Sequence, residues 1–227
     1  IPKENTPYCK KEEIFGYVSS STGVFGICTY TILKYGNNRE RDEFEINATI
    51  RHEAVHSAQF CRNPTVFKPL GVDRRKIELK WPNDVLVQKR KISGVLLESF
   101  NNFIVAGIGL NIAKTPQNEI KWKTTKLYDH INKDFSLKYI ANVILKIIFK
   151  NYAIWEDKGF NFFEKKINDS MYNIKNKIVI KLNSQSNDIN GVFLGLGDNG
   201  SLKIKVDNEF LEYYSVDSFF FPDEELL

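Results

Sequence analysis

Apolar and polar positions change their rhythm several times along this chain, and each rhythm predicts an element. From Gly23 to Lys34 the run GVFGICTYTILK, rich in β-branched and aromatic residues, predicts a strand. The polar, turn-forming segment YGNNRERDEF predicts a loop. Ile46, Ile50, Ala54 and Ala58 then recur at four-residue spacing and predict a helix from about Glu45 to Phe60 with one apolar face. Asn63-Pro64 ends it, because a residue before proline is pushed out of the helical region. KIELK (76–80), VLVQ (85–88) and ISGVLLE (92–98) predict a β-meander, with Trp81-Pro82-Asn83-Asp84 as a turn and Lys89-Arg90-Lys91 as a charged connection. FIVAGIGLNI (103–112) is apolar throughout, the pattern of a strand buried on both faces. Ser136 is a good N-cap for a second helix whose stripe, Leu137, Ile140, Ile144, Ile147 and Ile148, leads towards Trp155. A shorter helix is expected over Phe160 to Lys166.

Beyond Asn173-Lys175 the rhythm becomes one of short alternating strands: IVIKL, GVFLGLG, SLKIKV, FLEYYSV and SFFF, broken by turns at 197–200 and 207–208. This spacing predicts a small SH3-like β-barrel over residues 175–227. Residues 1–174 are expected to form an α/β (α+β) domain, a mixed sheet backed by helices. The charged fraction of 26% and hydrophobic fraction of 42% in 227 residues suit a folded globular chain rather than a disordered one. No run of about 18 apolar residues occurs, and the polar start, Ile1 to Lys11, lacks the apolar core of a signal peptide. Cys9, Cys28 and Cys61 are odd in number without C-x-x-C spacing, so neither a disulfide framework nor a zinc ribbon is indicated. The expected setting is cytoplasmic, with no membrane partner. A net charge of +4, spread along the chain, marks out no basic face for nucleic acid.

Three stretches carry candidate chemistry: Lys80-Trp81-Pro82-Asn83-Asp84, Lys91-Ile92-Ser93-Gly94-Val95-Leu96-Leu97-Glu98 and Gly107-Ile108-Gly109-Leu110-Asn111. They bring two lysines, an Asn-Asp pair and several glycines to the ends of adjacent strands. An adenylation needs such a set. A cation must offset the repulsion between a carboxylate and an α-phosphate, and a carboxylate with an amide can hold Mg²⁺ and a triphosphate. Glycine lets a ligand lie against the backbone, where a Cβ would collide. Taken singly, Asn-Asp after proline is a turn, G-x-G in an apolar strand is packing, and Lys91 is a solvated lysine.

In this order and spacing, K-W-P-N-D-V, K-I-S-G-V-L-L-E and G-I-G-L-N resemble the biotin protein ligases, with the likeness extending over about residues 75 to 223. The resemblance implies a class II synthetase-like catalytic domain that adenylates biotin with ATP and Mg²⁺ and passes it to a lysine of a biotin carboxyl carrier domain. It implies that Lys91 is the catalytic lysine, contacting the biotin carboxylate and the adenylate. Gly94, Leu96 and Gly107 would line the biotin pocket, Asn83, Asp84 and Asn111 would face ATP, and Asp84 would hold Mg²⁺. Lipoate ligases share the fold and a lysine, but the Trp-Pro pair and the G-V-L-L-E continuation favour biotin. The family's Ser/Thr-Thr-Asn signature and Gly-Arg-rich loop are not found in the 227 residues, and GYVSSSTGVFG resembles the stretch that follows that loop. Lys10 and Lys11 supply charge there without arginine's bidentate geometry. A site open on that side is the expectation, with a non-catalytic biotin- or nucleotide-binding remnant as the rival. The winged helix of repressor-type ligases is likewise not seen, so no DNA partner is expected, and a homodimer is left open.

His52-Glu53-Ala54-Val55-His56 is an H-E-x-x-H string, the spacing of a helical zinc pair. At about 100° per residue both histidines fall opposite Ile46, Ile50 and Ala54, on a polar face. His130 is the other histidine and no third ligand is marked, so a solvated helix face is expected in preference to a metal site.

Overall fold

The computed structural model describes residues 15–18, 24–32, 67–100, 103–115, 123–182, 187–197 and 200–222. The expected helix at 45–60, its H-E-x-x-H string and the loop before it lie outside the described residues. Six strands form the first sheet: β1 (Phe15–Val18), β2 (Val24–Ile32), β3 (Ile77–Lys80), β4 (Asp84–Val87), β5 (Arg90–Phe100) and β6 (Phe103–Asn111). Their spatial order is β1-β2-β6-β5-β4-β3, with every ladder antiparallel. Parallel pairing enters at two isolated bridges, Leu79 with Met171 and Lys91 with Thr124. The strand expected at 23–34 is β2, whereas β1, in a stretch without evident periodicity, was not foreseen.

Ala106, Ile108 and Leu110 are buried while Gly107, Gly109 and Asn111 between them are partly open. The uniformly apolar run of β6 therefore still has two unequal faces. Arg90 and Lys91, expected in a connection, belong to β5. The turn is made by Gln88 and Lys89, both at positive φ (51° and 60°), as a two-residue hairpin needs to follow strand twist.

The long helix α1 (Leu137–Lys158) starts where Ser136 accepts a hydrogen bond from the Tyr139 N–H at 3.2 Å. It buries Ile140, Ile144 and Ile148, each worth about 1.5–3 kcal/mol when fully removed from water. Leu137, in its first turn, stays exposed instead of joining that stripe, and Ile147 is half-buried. Helix α2 (Asn161–Asn168) follows. Among the described residues no helix is long and apolar enough to cross a membrane.

The second sheet contains β7 (Lys177–Lys181), β8 (Ile189–Leu196), β9 (Leu202–Val206), β10 (Glu209–Tyr213) and β11 (Ser218–Phe220), in the order β10-β9-β8-β7-β11. Its inward residues Ile178, Ile180, Phe193, Leu202 and Ile204 belong to the same apolar cluster as Leu79, Val85, Ile92 and Ile140. Residues 170–172 join the two sheets through the backbone of Leu79, whose N–H donates to the Ser170 carbonyl (2.8 Å) and whose carbonyl accepts from Tyr172 N–H (2.9 Å). Trp81 meets Phe219 of β11 edge-on at 5.5 Å between ring centres, and Lys80 Nζ lies 5.7 Å from the same ring centre. Asn168 at the end of α2 is stitched to β8: its Oδ1 accepts from Leu196 N–H (2.7 Å) and its Nδ2 donates to the Leu196 carbonyl (3.2 Å).

Candidate active site

Asp84 opens β4 and pairs with Gly94 on β5; Val85 faces Ser93, but Leu86 faces Lys91, so Ile92 is an extra residue. In a regular strand, residues three apart project to opposite faces. The bulge cancels one step and re-aims the strand. Lys91 thereby reaches the face of Asp84 and Gly94, with Nζ 2.6 Å from Asp84 Oδ1. A Cβ placed on Gly94 would lie 3.4 Å from that oxygen and 3.5 Å from Lys91 Cε. Ile92 is displaced into the core and is fully buried. Asp84 Oδ1 is itself buried and takes no aligned hydrogen bond, so Lys91 balances its charge without meeting it at a hydrogen-bonding angle.

Around this pair the sheet face is low. Gly94 pairs with Gly109, and Leu96 pairs with Gly107. A Cβ on Gly107 would come no closer than 3.6 Å to a neighbour, and one on Gly109 no closer than 3.8 Å; neither glycine has a positive φ. Packing among the described residues demands glycine at neither position, and what their absent side chains provide is a low floor. Leu96 rises beside it, 52% exposed and unusual for so large an apolar residue in a central strand. A flat, partly apolar ligand would cover it.

Beyond the end of β6, the segment 123–125 takes over as the neighbour of β5. The Lys91 N–H donates to the Lys123 carbonyl and the Thr125 N–H to the Lys91 carbonyl, both at 2.9 Å. Asn111 Nδ2 closes the junction, donating to the Thr125 carbonyl at 3.0 Å and the Lys91 carbonyl at 3.4 Å. Thr125 Oγ1 and His130 Nε2 are hydrogen-bonded at 2.7 Å, the donor depending on the ring tautomer. Burial pushes the His130 imidazole below its ordinary pKa, against the smaller opposing pull of Asp129.

Of the residues singled out from sequence, Lys91, Asp84 and Gly94 converge within contact distance, and Leu96 and Gly107 share their face. Asn111 is adjacent, but its amide nitrogen is committed to the chain, leaving its carbonyl oxygen as the group suited to a ligand. Asn83 is half-buried, and its backbone carbonyl accepts from Val95 N–H at 2.9 Å. Gly109 was named within the Gly107–Asn111 stretch but given no role, and Thr125 and His130 were not foreseen as part of this region. Gly109 could have been found from its place in the G-x-G pair, but nothing in the spacing ties residues 123–130 to Lys91. Among the described residues no group of three or more His, Cys, Asp or Glu could hold a metal ion.

Residues 1–99 match a domain of unknown function (DUF8637). The biotin–[acetyl-CoA-carboxylase] ligase of Mycobacterium tuberculosis is 45% identical over 60 residues, which is 26% of this chain and 22% of that protein. The bifunctional ligase/repressor BirA of Bacillus subtilis is 26% identical over 152 residues, 62% of this chain and 45% of that protein. The chain thus spans less than half the length of these curated relatives. A solved structure of the biotin protein ligase from Aquifex aeolicus in complex with biotin and ATP superposes with a TM-score of 0.66 at 26% identity, covering 88% of this chain and 79% of that one. In sequence over its matched stretches, and in fold, the chain is similar to biotin protein ligases.

Proposed function

We propose that the chain is an ATP-dependent ligase that attaches biotin to a lysine of a biotin carboxyl carrier domain through biotinyl-5′-AMP. The observation that carries this reading is the bulge-presented Lys91 beside Asp84, at the edge of a glycine floor flanked by an exposed leucine. In the first half-reaction a biotin carboxylate oxygen bonds to the α-phosphorus of ATP and pyrophosphate leaves. In the second, the carrier lysine's amine bonds to the acyl carbon, AMP leaves and the amine's proton passes to solvent. Lys91 offsets the crowding of negative oxygens in both steps. Gly94, Gly107 and Gly109 let the bicyclic ring lie against backbone, and Leu96 covers its apolar edge. Asn83, Asp84 and the Asn111 carbonyl oxygen form the nucleotide side.

Mg²⁺ finds one carboxylate here, Asp84, whose buried Oδ1 already faces Lys91 Nζ at 2.6 Å, so an ion would share that carboxylate with the ammonium. With a single carboxylate here, the ion would be held mainly by the triphosphate and water, as is usual for Mg²⁺, and it would supply charge neutralisation. Three cysteines without paired spacing suit a cytoplasmic setting. The test is turnover with ATP, biotin and a carrier domain. Biotin-labelled carrier and equimolar AMP are expected, and labelling with lipoate in preference to biotin would overturn the reading.

A further inference from the structure

We propose that the Thr125–His130 hydrogen bond is a positioning device for Lys91, with Thr125 and His130 acting through the backbone of residues 123–125. This rests on the role given to Lys91 above. The bulge that re-aims Lys91 leaves it past the end of β6, where β5 has no strand of the first sheet on that side. Its N–H and carbonyl are both taken instead by Lys123 and Thr125. The lysine's main chain is therefore as well placed as that three-residue strap, and a strap so short has little hold of its own. Two side chains fasten it: Asn111 grips the Thr125 carbonyl, and His130 grips the Thr125 hydroxyl. The hydroxyl is enclosed, since Thr125 is only 2% exposed, so water does not replace a lost partner. The His130 main chain is held in turn, its backbone N–H donating to the Leu127 carbonyl at 2.9 Å. The fastening carries through Thr125 to Lys91, and a shift of well under a hydrogen-bond length there moves Nζ off the carboxylate it faces.

Thr125→Val keeps the shape and removes the hydroxyl, while Thr125→Ser keeps the hydroxyl. In the full chain, amide hydrogen exchange at Lys91 and Thr125 should quicken about tenfold in Thr125→Val and stay near wild type in Thr125→Ser, the scale of one buried hydrogen bond. The amide of Val95, bonded to Asn83 in the same hairpin, should not change. His130→Phe should repeat the Thr125→Val result from the other end. In biotin- and ATP-dependent pyrophosphate exchange, Thr125→Val should lower kcat about tenfold with KM for biotin within about twofold, because placement of a transition-state group is lost rather than ground-state binding. Unchanged Lys91 exchange in both Thr125→Val and His130→Phe would overturn the proposal, as would quickened exchange with an unaltered kcat. A wild-type chain that exchanges no pyrophosphate would instead remove the ligase reading, and the amide measurement would still decide whether the pair holds Lys91.

Discussion

Both sheets carry glycines on central strands, and they are there for opposite reasons. In the second sheet a Cβ on Gly191 would stand 2.9 Å from the Lys205 carbonyl oxygen, and one on Gly195 would stand 2.5 Å from Asn168 Oδ1. Gly195 also sits at φ +103°, in a bulge between Phe193 and Gly195 that Asn168 fills. There the fold consumes the space. In the first sheet Gly107 and Gly109 leave room that none of the described residues takes. The two bulges differ in the same way: one is locked by an asparagine into a joint, and the other turns a lysine out beside a floor of glycines. A glycine that packing does not require points to a ligand more directly than a glycine as such.

The largest effect should come from the lysine. Lys91→Met is expected to cut pyrophosphate release by about 100-fold or more, the scale of removing one transition-state donor; near-normal release would sink the assignment. Next comes Gly195→Ala, which meets a disfavoured φ and displaces the paired Asn168 bonds. A loss of about 2 kcal/mol in urea unfolding is expected, and an unchanged midpoint would erase the contrast between the sheets. Gly109→Ala should do the reverse. Unfolding stability should stay within about 0.5 kcal/mol of wild type or rise slightly, while biotin affinity by calorimetry falls about tenfold because the new methyl stands where the ring should lie. Should the affinity hold, the floor is not the biotin surface.

The smallest effect is one of pH. Burial depresses the His130 pKa from its ordinary 6.5, so the unfolded chain takes up a proton at a higher pH than the folded chain does. Stability from this group is therefore full above about 6.5 and declines as pH falls through the window below it. Subtracting the urea midpoints of His130→Gln from wild type at each pH cancels the other titrating groups. The difference should narrow or reverse on acidification, and a difference growing towards low pH would contradict the shift.

Much of this was legible beforehand because it is local. Alternating runs, and one uninterrupted apolar run for β6, marked β3 to β11 to within a few residues, and Ser136 marked the start of α1. Lys91, Asp84, Gly94 and Gly107 stood out through their spacing and the resemblance it carried. What escaped depends on contacts distant in sequence or on one irregular residue. Alternation places Lys91 opposite Gly94, and only the extra Ile92 reverses this. The strap is invisible for the same reason, since Lys123 and Thr125 lie more than 30 residues from the lysine they hold. Four apolar residues, Phe15–Val18, are too short a stretch for periodicity to separate strand from coil.

β3 closes one side of the first sheet, so its outer backbone would be a template for any passing extended chain. Leu79 gives both of its outward groups to residues 170–172, and Phe219 lies against Trp81 just beyond. Residues 170–172, with Phe219 of the second sheet, therefore also serve as a guard for the first. A chain cut before Ser170 would bare this edge together with the apolar surface the second sheet covers, and self-association through it is the expected outcome.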